Sequence, residues 1–192
     1  VLLLGTGTRA AALGGLAMLV AHALFKSTLF LVVGVVDHST GTRQITELSG
    51  LYRRMPVVAT VAGIAAAAMA GIPPTLGFTA KEAGLEGIAN LALTGDGVGI
   101  APLPAWFLTC IVILGSALTV AYTLRFWWGA FGTKPGLAPT VVAHPPSFGF
   151  AAAPVVLGLA VGVAGFLGGP LTEVFDGYAA TMPDGEPSHG LT

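Results

Sequence analysis

The chain has 192 residues, of which 54% are hydrophobic and 9% charged, with a net charge of −1 and a mean hydropathy of +0.85. Soluble domains carry about 25% charged residues, so this composition excludes a water-facing globule and makes lipid the natural solvent. The missing basic surplus excludes a nucleic-acid partner, and a single cysteine, Cys110, excludes an internal disulfide and any cysteine metal cluster.

The chain opens on Val1 and Leu2-Leu3-Leu4 without a basic leader or a cleavage site. That is no signal peptide; it reads as the last turn of a helix continued upstream, and so as part of a longer chain. Gly5 to Arg9 form a turn. Ala10 to Val36 is one apolar run broken only by His22 and Lys26, long enough to cross a core of ~30 Å. Asp37 to Met55 holds Arg43, Glu47, Arg53 and Arg54 and reads as an aqueous loop. Pro56 suits a first helical turn, and Val57 to Gly71 is alanine-rich and apolar. No regular helix absorbs Ile72-Pro73-Pro74-Thr75-Leu76-Gly77-Phe78. Helix resumes about Thr79 and runs to Thr94, carrying Lys81, Glu82 and Glu86.

Gly95 to Pro104 is a loop, Leu103 to Phe131 a further crossing, and Thr133 to Pro146 another loop. Ser147 to Leu167 is the last apolar span. Residues 170–192, acidic and without Lys or Arg, are expected to be a flexible tail, set apart from a membrane domain over residues 1–169. The expected fold is therefore an all-α, polytopic bundle of about five membrane segments, one of them interrupted at Pro73-Pro74. Trp106 and Trp127-Trp128 lie at opposite ends of one span, ~32 Å apart along a helix, as two aromatic belts require. Gly63/Ala67/Gly71 and Gly158/Gly162 are small-residue spacings that permit close helix contact. The arginines and lysines divide evenly between the two sides, so the positive-inside rule does not orient the chain.

One motif is a decoy. Gly5-Thr6-Gly7-Thr8-Arg9-Ala10 after an apolar run resembles a dinucleotide-binding turn. That turn needs a parallel sheet and an acidic residue about 20 positions on; here a membrane-length run follows and the first acid is Asp37.

Lys26 carries the most chemistry. Apolar turns flank it on both sides, which places it near mid-membrane. Holding an ammonium at that depth costs from about 3 kcal/mol upward, so such a residue faces protein or a water-filled cavity and marks an ion or proton path. His22, four residues earlier, shares its helix face and brings a second titratable group within one turn. Lys81 and Glu82 follow the Pro73-Pro74 break. Non-helical backbone at membrane depth survives only where protein or water covers it, so a charge beside a break suggests an ion path as in transporters; a polar helix end at the interface fits the spacing equally well. Arg125, just before Phe126-Trp127-Trp128, reads as a snorkelling residue. His38, His144 and His189 have no metal-site spacing, and no cofactor is expected.

His22-Ala23-Leu24-Phe25-Lys26-Ser27-Thr28-Leu29-Phe30-Leu31 resembles the lysine-bearing helix of the proton-translocating antiporter-like subunits, the family shared by respiratory complex I and the multisubunit Mrp-type Na+/H+ antiporters. Leu48-Ser49-Gly50-Leu51, Arg54-Met55-Pro56, Ala70 through Glu82 and Tyr122-Thr123-Leu124-Arg125 extend the likeness, which runs to about Gly169. Asp37-His38-Ser39-Thr40-Gly41-Thr42-Arg43 and the Lys81-Glu82 pair stand nearer the A-type component of the Mrp antiporters than the complex I subunit.

The resemblance implies a multi-pass subunit of the cytoplasmic membrane, an ion transporter rather than an enzyme, in a heteromeric complex that exchanges protons for Na+. It implies that Lys26 is the central proton-storing lysine, that His22 passes the proton, that Lys81 stands near its exit, and that Glu82 pairs with Lys81 or a cation. Met18 occupies a position where some relatives carry a second histidine. The alternative is a proton-pumping subunit of complex I, driven by NADH oxidation elsewhere; a third reading is a fragment that only packs against partners. In the family a first half-channel with its own glutamate and lysine precedes this region, so these residues alone are not expected to transport.

Overall fold

The structure, a computed structural model, describes Leu3 and residues 9–94 and 102–181. Every element among the described residues is helical: α1 (Arg9–Thr40), α2 (Leu51–Arg54), α3 (Pro56–Ala70), α4 (Leu76–Thr94), α5 (Pro102–Phe131), α6 (Phe148–Ala164) and α7 (Gly168–Ala179). α1 and the Trp106–Phe131 part of α5 are each long and apolar enough to cross a membrane. α6 and α7 pass the same test only together and are bent by 84° at the break between them. α3 is apolar but has 15 residues, short of the ~20 a full crossing needs; it and α4 are the two arms of the interrupted segment.

Local chemistry explains the boundaries. α1 continues through Asp37 to Thr40, beyond the expected start of the aqueous loop, and stops where Gly41 turns left-handed at φ +75°. Pro56 occupies the first turn of α3, as expected. α3 ends at Gly71 (φ +81°), whose N–H bonds Ala67 and Ala68 while Ile72 bonds Ala67, a left-handed cap. Thr75 then opens α4: its carbonyl accepts from Phe78 and Thr79 and its hydroxyl donates to Ile72. Helix thus resumes at Leu76, three residues before the sequence suggests. Ser147 caps α6 by accepting from the Phe150 N–H.

The tail expected from residue 170 begins differently. α7 packs on α1, with Phe175 and Ala179 against Ala12 and Leu13 and with Asp176 paired to Arg9. An amphipathic stretch with an apolar face to bury orders on a neighbour that composition alone does not show. Residues 182–192 lie outside the described residues.

α1 packs against α4, α6 and α3; α3 also meets α6 and α5, and α4 meets α5. Alanines build the main core: Ala17, Ala21, Ala65, Ala68, Ala80 and Ala164 surround Phe25, Met69 and Leu76. Small residues let backbones approach where the solvent supplies no hydrophobic push. A Cβ on Gly158 would come within 2.7 Å of Val61, while at Gly162 the nearest atom is 3.8 Å away. The tightest approaches are elsewhere: a Cβ on Gly77 would lie 1.9 Å from the Ala68 carbonyl oxygen, and one on Gly165 1.8 Å from that of Pro74. The backbone of the break is thus held against α3 and the α6–α7 turn, which supplies part of the protein cover that non-helical backbone requires in a bilayer.

Trp106 and Trp128 are exposed. Trp127 turns inward instead: its indole N–H donates to the Ala59 carbonyl at 3.0 Å, over the space that Gly63 leaves open.

Candidate functional site

Lys26 falls near the middle of the 32-residue α1 and is half-buried. Its neighbours Phe25, Thr28 and Leu29 point into the bundle, and the Thr28 hydroxyl is satisfied by the Leu24 carbonyl at 2.8 Å. His22, one turn earlier, is exposed, its ring tilted against Phe25 with centroids 5.2 Å apart. With Leu19, Ser27, Phe30 and Gly34 it forms an open stripe along α1. The described helices therefore do not enclose the His22–Lys26 pair as its depth in the sequence suggests.

Lys26 reaches across to α5, where its Nζ stands 5.9 Å from the centroid of the Tyr122 ring, within the ~6 Å range of a cation–π contact. The Tyr122 hydroxyl donates to Met69 Sδ at 3.6 Å. Met69 lies in the last turn of α3, and its carbonyl accepts from Lys81 Nζ at 2.9 Å, with the Ala70 carbonyl accepting at 3.0 Å. Carbonyls of a last helical turn lack intrahelical partners and form the negative end of the helix dipole. The break at Gly71–Thr75 frees these groups and swings α4 so that Lys81 meets them. The two lysines, 55 positions apart in the sequence, are thus linked through Tyr122 and Met69.

Glu82 is exposed, and among the described residues Lys81 turns to the α3 carbonyls rather than to Glu82. The physical reason is direction: adjacent helical positions point about 100° apart, so Lys81 faces α3 while Glu82 faces away. Arg125 is exposed, in keeping with snorkelling. Lys134 caps the end of α5 at the Gly129 carbonyl, 2.8 Å away, and also bonds Ile45. Tyr122 and Met69 are the contributors that spacing does not single out, because neither carries a charge and each matters only through a neighbour on another helix. Among the described residues no group of three or more His, Cys, Asp and Glu is placed to hold a metal ion.

Gly71→Ala tests the cap directly. A left-handed φ costs a side-chain-bearing residue about 1–2 kcal/mol, and the new Cβ would sit 2.9 Å from Lys81 Cδ, displacing that chain from its carbonyls. The expected result is a lower thermal midpoint of the detergent-purified parent complex; an unchanged midpoint would mean that the left-handed cap does not hold the break.

An apolar helix bundle with cationic side chains set among its helices, one at a helix break, defines a polytopic membrane protein. Residues 1–94 match the family model described as NADH:quinone oxidoreductase/Mrp antiporter, TM. The chain is 36% identical over 187 residues to the A1 subunit of a Na(+)/H(+) antiporter of Staphylococcus haemolyticus, covering 91% of this chain and 22% of that protein. It is 38% identical over 164 residues to the A1 subunit of the Na(+)/H(+) antiporter of Staphylococcus aureus (strain JH9), covering 81% and 19%. The A/B subunit of a probable K(+)/H(+) antiporter of Rhizobium meliloti is 36% identical over 145 residues, covering 75% and 14%. The fold resembles a chain in the structure of the Mrp complex from Dietzia sp. DQ12-45-1b, with a TM-score of 0.73 and 22% identity over 91% of this chain and 38% of that one. The chain belongs to the Mrp-type antiporter membrane-subunit family, related to complex I through the shared domain. It spans about a fifth of the length of its Staphylococcus relatives.

Proposed function

We propose that these residues are the C-terminal part of the antiporter-like domain of an A-type Mrp component, and that they carry one section of its proton path. Lys26 holds the proton at mid-membrane, His22 hands it along α1, and Lys81 passes it toward one surface, with Glu82 available to a cation beside the break. The parent protein would exchange protons for Na+ across the cell membrane within a heteromeric complex. The observation that carries the reading is Lys81 at the helix break, its Nζ bonding the carbonyls of Met69 and Ala70, with Lys26 linked to the same Met69 through Tyr122. Intramembrane lysines are expensive and mark paths rather than packing.

The open His22 stripe fits a path completed by other protein. An imidazole and an ammonium bordering lipid are costly, so the remaining part of the parent protein or a partner would cover that face of α1.

The test is cation-driven proton flux in inverted vesicles that hold the whole parent complex. Lys26→Ala is expected to abolish flux while the complex still assembles. Unchanged flux would make Lys26 structural and end the relay reading; flux that needs NADH instead of a cation gradient would move the protein to complex I. Parallel Na+ and K+ gradients identify the cation.

A further inference from the structure

We propose that Tyr122 is a positioning residue of this path: its ring seats the protonated Lys26 against α5, beside the Met69 that Lys81 binds. The inference rests on the relay reading above.

Tyr122 belongs to α5, which bears neither lysine, yet it touches the surroundings of both. Its ring receives Lys26 Nζ at 5.9 Å. Its hydroxyl is anchored on Met69 Sδ at 3.6 Å, and the same Met69 presents to Lys81 the carbonyl that Lys81 Nζ binds at 2.9 Å. One residue at the end of α3 therefore fixes the orientation of the ring on one side and the second lysine on the other.

The physics of the seat gives it a direction. The negative face of an aromatic ring attracts an ammonium through its quadrupole and has no such attraction for a neutral amine. The loaded lysine is drawn to α5, and once its proton has left, nothing electrostatic keeps it there. A lysine side chain has four rotatable bonds and can swing between a ring on one helix and the His22 face of its own. The attraction comes from the ring face and does not need the hydroxyl, so the ring carries the effect and the hydroxyl only steadies it.

Ring and hydroxyl can be separated in the parent complex. Tyr122→Phe keeps the ring, whereas Tyr122→Leu and the unbranched Tyr122→Met remove it. Two readouts are taken on assembled complex: cation-driven proton flux, and the rate at which an amine-reactive reagent modifies Lys26, followed by mass spectrometry. The expected result is near-normal flux and labelling for Tyr122→Phe, with flux down and Lys26 labelling up by about fivefold in both ringless variants. Unchanged labelling in the ringless variants would overturn the seat whatever the flux does. Raised labelling with normal flux would overturn its role in transport, and equal losses in Tyr122→Phe and Tyr122→Leu would assign the effect to the hydroxyl and overturn the ring. Lys26→Ala, run alongside, reports on the relay itself: if that variant keeps its flux, the relay reading fails, while the labelling still decides whether Tyr122 seats the lysine.

Discussion

Gly77→Val in the parent protein is expected to leave little assembled complex in the membrane. Any Cβ at position 77 would lie 1.9 Å from the carbonyl oxygen of Ala68 and 2.9 Å from its carbon. Both atoms are backbone, so the clash cannot be relieved by a rotamer change; α3 and α4 must separate at their shared end. Overpacking a close-packed interior costs about 1–3 kcal/mol in ordinary cases, and a backbone clash of this depth belongs at about 3 kcal/mol or above. Separation would also withdraw the α3 carbonyls from Lys81, so any complex that does assemble should transport poorly. Gly115→Val on α5 is the control, because nothing stands within 4 Å of a Cβ there. Blue native gels of membranes from the two variants read the difference. Wild-type amounts of the Gly77→Val complex would mean that the two arms of the interrupted segment do not meet at this point.

Lys81 should separate structure from transport. Its ammonium bonds two carbonyls at the end of α3, and hydrogen bonds to charged groups contribute about 1.5–3 kcal/mol when one partner is ionised. Lys81→Ala removes both the bonds and the proposed proton carrier, so both the thermal midpoint of the complex and the flux should fall. Lys81→Gln keeps a side-chain N–H donor able to bond one of these carbonyls but cannot carry a proton at neutral pH. It is expected to recover most of the stability and none of the flux. Recovery of flux with glutamine would show that Lys81 serves only as the cap of α3.

Much of the candidate site is legible in the chain because membrane depth is a one-dimensional property. Lys26 stands in the middle of an apolar run, and Lys81 follows Pro73-Pro74, whatever the helices do in space. The same holds for Pro56, whose fixed φ marks a helix start, whereas α1 ends at Thr40, before Gly41 and four residues beyond the apolar run that stops at Val36. Residues 170–179, read from composition as the start of a tail, belong to the helix α7. An amphipathic helix of 12 residues orders only when a partner surface takes its apolar face, and that surface, Ala12 and Leu13, lies at the other end of the chain. Of the two partners expected for Glu82, Lys81 or a cation, Lys81 turns instead to the carbonyls of α3, since helical geometry points neighbours apart.

Hydropathy, charge and proline restrictions act on local chain. They are enough to dictate the solvent, the all-helical class, the place of Lys26 within an apolar run and the place of the break. What those groups touch is decided in three dimensions. The Ala68 carbonyl packed on Gly77, the Met69 and Ala70 carbonyls on Lys81, and the Tyr122 ring beside Lys26 are meetings between helices. Which residues meet depends on how closely small side chains let the helices approach, a property of pairs of surfaces that no single stretch of chain contains.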